Sequence, residues 1–141
     1  MKQTFLLLML LAASTLNAQS KLTIVVDGME QTTGTLYVAV YDTANYMKKP
    51  LYGTLAKVNK EEVSAVLDSI APGEYAVSIF HDENDNGKLD TGTFGIPVEK
   101  MGSSNNAKGK YGPPKFNDCK FTIEEDTVIY ITLTSYNDVV M

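Results

Sequence analysis

After its first eighteen residues the chain is patterned with a period of two. Leu22-Thr23-Ile24-Val25-Val26 is a β-branched run closed by Asp27-Gly28. Between Thr35 and Tyr41, Leu36, Val38 and Val40 take one face, and Tyr37, Ala39 and Tyr41 take the other. Val63, Ala65 and Leu67 form another alternating set before the joint Ala71-Pro72-Gly73. Tyr75, Val77 and Ile79 follow, with Ala76, Ser78 and Phe80 opposite them. Near the end come Lys120 to Glu124, a short acidic turn at Glu125-Asp126, and Thr127 to Thr134 with Ile129, Ile131 and Leu133 in register. Successive side chains of a strand point to opposite faces, so alternation bounded by Gly, Pro, Asn and Asp predicts half-buried strands. A weaker strand is expected around Thr54 to Val58, and one short helical turn over Thr43 to Lys49. The expected fold is all-β, an antiparallel sandwich of about seven strands. A closed small barrel is the alternative.

One interval breaks the pattern. Asp82 to Asn117 is long, polar and rich in Gly, Asn, Ser and Pro. Loops of that length inside a compact domain are usually functional or disordered.

The beginning of the chain sets the expected compartment. A positive start at Met1-Lys2 leads into the apolar stretch Phe5 to Ala13, and small and polar residues run on to Ala18-Gln19. That order is the mark of a secretory signal, so residues 1–18 are expected to be removed during export to the periplasm or the cell exterior. The apolar stretch falls short of the ~20 residues of a spanning helix, and no later segment supplies one. Residues 19–141 then form a single domain of about 123 residues, large enough to bury a core without cross-links. Cross-links are excluded in any case, because Cys119 is the only cysteine. Its spacing from Phe121 and Ile123 places it on a buried strand face, where a thiol packs as a small hydrophobe.

Charge removes one class of function. Seventeen acidic residues face twelve basic ones for a net charge of −5, and every basic residue is lysine. Without arginine the chain lacks the guanidinium fork on which phosphate and base recognition depend, and its lysines are scattered, so a nucleic-acid partner is not expected.

Candidate chemistry gathers where the strand ending at Phe80 gives way to His81-Asp82-Glu83-Asn84-Asp85-Asn86-Gly87-Lys88-Leu89-Asp90. Side-chain oxygens recur at Asp82, Asn84, Asn86 and Asp90, and Gly87 permits the positive φ that turns the chain back. With the backbone carbonyl of Lys88 added, this follows the first nine positions of a calcium loop. The twelfth position is Thr93 rather than a bidentate Glu, and Glu99 is the expected substitute carboxylate. The expected metal set is therefore Asp82, Asn84, Asn86, Lys88, Asp90 and Glu99, holding Ca²⁺ as a structural ion with a dissociation constant on the order of 10⁻⁴–10⁻³ M. Asp, Asn and Gly also crowd into plain turns, which is the competing reading of the same residues. A second function class, a small envelope hydrolase or sugar-active enzyme, would use Glu99, Asp90 or His81. No nucleophile stands near His81 at motif spacing, and Ser103-Ser104 lacks a nucleophile elbow, so a strand-end histidine and a loop are expected there.

These residues also carry a resemblance. Ala71-Pro72-Gly73-Glu74-Tyr75-Ala76-Val77, the loop His81 to Asp90, Gly95-Ile96-Pro97-Val98-Glu99, Gly102-Ser103-Ser104-Asn105 and Gly112-Pro113-Pro114-Lys115-Phe116 resemble the signature of an exported bacterial family known as domain of unknown function 2141. The similarity covers nearly all of the chain after the leader and implies an exported domain without an assigned activity. The Pro72-Gly73-Glu74-Tyr75 step is also similar to that of transthyretin-like and surface-protein sandwich modules. This implies an immunoglobulin-like or transthyretin-like sandwich. A hydrolytic transthyretin relative would carry His and Arg in its active site, whereas this chain has one His and no Arg. The expected function is a non-catalytic binding or scaffolding module of the cell envelope, with an envelope protein, peptide or carbohydrate as partner.

Overall fold

The computed structural model describes residues 18–140. The expected leader, apart from Ala18, lies outside the described residues. Among those described, eight strands form: β1 (Ser20–Asp27), β2 (Thr35–Tyr41), β3 (Tyr52–Lys57), β4 (Val63–Ile70), β5 (Gly73–Asp82), β6 (Met101–Ser103), β7 (Phe121–Ile123) and β8 (Thr127–Thr132). Two helices of about one turn accompany them, α1 (Phe116–Cys119) and α2 (Tyr136–Val140). One sheet runs β4-β1-β8 and the other β3-β2-β5-β6, with β7 also paired to β5. The pairs are antiparallel except β1 with β8. The fold is the all-β sandwich expected from the alternation.

The core lies between the sheets. Leu22, Ile24 and Val26 of β1 and Ala65 and Leu67 of β4 face Leu36, Val38 and Val40 of β2 and Tyr75, Val77 and Ile79 of β5. Each is the inward member of an alternating run, and burying such a side chain contributes about 1.5–3 kcal/mol relative to exposure. The outward members decorate the free faces, where Tyr37 stacks on Phe80 across the β2–β5 pair with centroids 4.8 Å apart.

The long excursion is not structureless. Its strand is β6, three residues that alternation cannot reveal, paired with β5 and bridged at Met101 to Thr134. The edge of β5 away from β2 is shared: β7 pairs with Gly73–Tyr75 and β6 with Ser78–Phe80. Between them the Val77 N–H would be orphaned, but Ser104 Oγ accepts it at 2.9 Å and donates in turn to the Cys119 carbonyl at 2.6 Å. Asn105 Nδ2 donates to the carbonyls of Asp118 and Lys120, and Asn106 Oδ1 accepts the Thr132 N–H. Ser104-Asn105-Asn106 is thus a clamp that ties the excursion to both sheets.

Two local expectations change. Thr43 to Lys49 forms hydrogen-bonded turns, with Lys48 N–H donating to the Asn45 carbonyl at 2.9 Å, and no helix. Cys119 is buried as expected, but it closes α1 rather than lying on a strand, because β7 starts only at Phe121. Burial pushes its thiol pKa up, so it stays protonated and inert. Tyr46 Oη lies 3.6 Å from its sulfur and donates to the Pro114 carbonyl at 2.6 Å.

Candidate functional site: the loop after β5

The loop begins where β5 leaves the sheet, and a glycine on another element lets it do so. Gly34, just before β2, has φ +83°, and a Cβ there would lie 2.2 Å from the Asp82 carbonyl oxygen. Only the absence of a side chain admits the loop's first peptide so close to β2.

Asp82 is fully buried at the strand end, and its carboxylate reaches forward under the turn. Oδ1 accepts the Asn86 N–H at 3.1 Å and Oδ2 accepts the Gly87 N–H at 2.8 Å. Gly87 has φ +81°, as the turn demands. Asn84 and Asn86 stand on the exposed side and donate through Nδ2 to the two oxygens of Asp90, at 2.7 and 2.6 Å. These two hydrogen bonds, Asn86 first, hold the Asp90 carboxyl below the usual carboxylate range. Glu99 returns from beyond the loop, as its proposed role requires. It is 4% exposed, its Oε1 accepts the Glu83 N–H at 3.1 Å and its Oε2 accepts the Asp90 N–H at 2.9 Å. A short antiparallel turn brings it back, with bridges at Thr91–Pro97 and Val98 N–H to the Asp90 carbonyl.

Five of the six expected ligand residues, Asp82, Asn84, Asn86, Asp90 and Glu99, therefore belong to one hydrogen-bonded cage. Lys88 contributes its N–H to Asn86 Oδ1, and its side chain is exposed. Among the described residues no three His, Cys, Asp or Glu side chains are grouped closely enough to hold a metal ion. A cation here would depend on amide and carbonyl oxygens as well as carboxylates. Each carboxylate oxygen retains a second lone pair beside the N–H it accepts. The amide oxygens of the two asparagines are engaged within the loop, Asn84 Oδ1 accepting the Asn86 N–H at 3.3 Å and Asn86 Oδ1 the Lys88 N–H at 3.1 Å.

His81 does not face this cage. It continues the inward series Tyr75, Val77, Ile79, is fully buried, and its Nε2 lies 2.6 Å from the Thr33 carbonyl. Its Nδ1 has no hydrogen-bond partner and sits 3.8 Å from Glu83 Oε1. An acid/base role beside Asp82 would need the opposite strand face.

Asp85 is a site residue that the spacing argument passes over. It adopts φ +54° at the loop tip, accepts from Thr35 Oγ1 at 2.6 Å and pairs with Lys57 Nζ at 3.0 Å. Those two partners hold its carboxyl below the ordinary range. It fastens the tip to β2 and β3, a role invisible in sequence because both partners are distant in the chain.

No helix among the described residues is long and apolar enough to cross a membrane. No curated protein and no solved structure matches the chain. Residues 24–130 match the family described as "Uncharacterized protein conserved in bacteria (DUF2141)", and that span includes β2 to β7, parts of β1 and β8, the loop cage and the clamped excursion. The chain belongs to this family of bacterial proteins.

Proposed function

We propose that this protein is an exported, non-catalytic binding or scaffolding module of the cell envelope, in which the loop after β5 takes Ca²⁺ as a structural ion. The excursion from Asp82 to Asn117 is its contact surface. What supports this reading is the hydrogen-bonded network of the loop: Asn84 and Asn86 meet the Asp90 carboxylate, Asp82 accepts the Asn86 and Gly87 N–H groups, and Glu99 folds back onto the Glu83 and Asp90 N–H groups. Hard, flexible oxygen cages of this kind suit Ca²⁺ better than Mg²⁺, which demands a tight octahedron. The reading is supported further by the engagement of both Glu99 oxygens with backbone N–H groups, which holds the side chain in place beneath the loop.

Thermal and urea unfolding with Ca²⁺, with Mg²⁺ and with chelator tests it. An ion that binds only the folded chain stabilises it by mass action, about 1.4 kcal/mol at ten times the dissociation constant and about 2.7 kcal/mol at a hundred times. Ca²⁺ at millimolar concentration should raise the melting temperature by several degrees, and Asp90→Ala should abolish that response. An unfolding curve indifferent to Ca²⁺ would overturn the proposal.

A further inference from the structure

The excursion builds a second feature apart from the cage. Above the outer face of the five-stranded sheet lies a cleft of about 350 Å³. It is lined by Ser78 of β5, by β6, by Phe94 to Pro97, by 107–109 and 112–114, and by Met47, Thr134 and Tyr136. Its volume is that of a small-molecule site, and its lining is mainly apolar with a few hydroxyls.

Two independent observations say what it would hold. The first is charge. The lining includes Lys108 and no carboxylate. The segments 43–51 and 107–115 beside the cleft carry Lys48, Lys49, Lys108, Lys110 and Lys115 and no acidic residue, in a chain whose net charge is −5, while α2, which contributes Tyr136 to the lining, carries Asp138. The ion pairs formed among the described residues involve none of these five lysines. The second is Phe94. It is 96% exposed on the rim and held at φ 61°, ψ 22°, a left-handed conformation that bulky residues rarely adopt. A large aromatic side chain kept in water beside an apolar trough is a mark of a ligand-facing surface.

We propose that this cleft binds a small amphipathic anion: an apolar acyl or aryl body lies on Met101, Ile96 and Phe94, and its carboxylate faces Lys108. This deepens the reading of the excursion as a contact surface by naming a ligand class, and it does not depend on the calcium ion.

Isothermal titration of the folded protein with octanoate, octanol and octylamine, each with Ca²⁺ and with chelator, tests the assignment. Saturable octanoate binding is expected, with octylamine weaker by at least about tenfold, a difference of 1.4 kcal/mol. Lys108→Glu, at an exposed site, should weaken octanoate about fivefold and leave octanol unchanged. Ser78→Phe should fill the cleft and abolish binding of both; if that variant unfolds, Lys108→Glu decides alone. Octanol binding as tightly as octanoate, no saturable binding of any probe, or self-association at Phe94 that excludes the probes would each overturn the proposal. Octanoate binding without a Ca²⁺ response would refute only the ion, and a Ca²⁺ response without octanoate binding would refute only the cleft.

Discussion

At the scale of single residues, the side chains that matter most here satisfy backbone groups rather than one another. Ser104 is the clearest case: one hydroxyl accepts the Val77 N–H and donates to the Cys119 carbonyl, at a gap in the pairing of β5. Ser104→Ala should cost about 1–3 kcal/mol, because it strands a buried donor and acceptor together. Urea unfolding measures this, and a change below about 0.5 kcal/mol, the scatter of neutral surface substitutions, would contradict the clamp. Asp82 and Glu99 act in the same manner on the loop amides. The spacing of Asp82, Asn84, Asn86 and Asp90 was legible in the chain because side-chain oxygens at every second position leave a periodic trace. Ser104 left no trace, since a serine between a glycine-serine step and two asparagines reads equally well as solvent-exposed loop.

At the scale of elements, the placement of the cage depends on the approach of two strands. The loop's first peptide lies against Gly34, where a Cβ would meet the Asp82 carbonyl oxygen at 2.2 Å and the backbone is left-handed as well. Gly34→Ala is expected to lose ~3 kcal/mol, combining αL strain with a backbone clash that no rotamer can relieve. The same substitution should eliminate any Ca²⁺-dependent rise in melting temperature, since the loop must lift away from β2. Calorimetry on the variant with and without Ca²⁺ checks both, and an unperturbed melting temperature would show that β2 and the loop move apart without cost. The alternating strands were legible because each long run carries its own apolar face. The three-residue β6 was not, because Met101-Gly102-Ser103 is too short to display a period and pairs only because β5 offers it an unfilled edge.

At the scale of the whole molecule, two partly buried tyrosine hydroxyls make stability sensitive to alkali. Tyr75 is buried against Tyr52 and donates to the Ala71 carbonyl at 2.6 Å. Burial, reinforced by the Tyr52 neighbour, raises its pKa from 10.0 to about 12. Tyr46, which pins the connection after β2 to the excursion through Pro114, is raised as well, chiefly by burial. A folded-state pKa above the unfolded value means that the contribution is fully present below pH 10.0 and is lost as pH rises toward about 12. The urea midpoint should therefore hold steady up to about pH 10 and fall above it. Tyr75→Phe should flatten that fall, and an identical alkaline profile in the variant would refute the assignment.

Strand content and the position of the candidate loop can be read from the chain alone, whereas sandwich against closed barrel was settled only by how the two sheets pair. The first two are written as local periodicities, an apolar side chain at every second position in the strands and an oxygen at every second position after Asp82. Such periods survive without knowledge of the partners because they describe which way each side chain points along one strand or one turn. Only the tertiary structure decided the rest: Glu99 folding back beneath the loop, His81 turning into the core, Ser104 filling the gap on β5, and two lysine-rich segments meeting around an apolar cleft. Each of these joins residues far apart in the chain, and proximity of that kind is set by how the sheets pack, not by anything carried in a window of neighbouring residues.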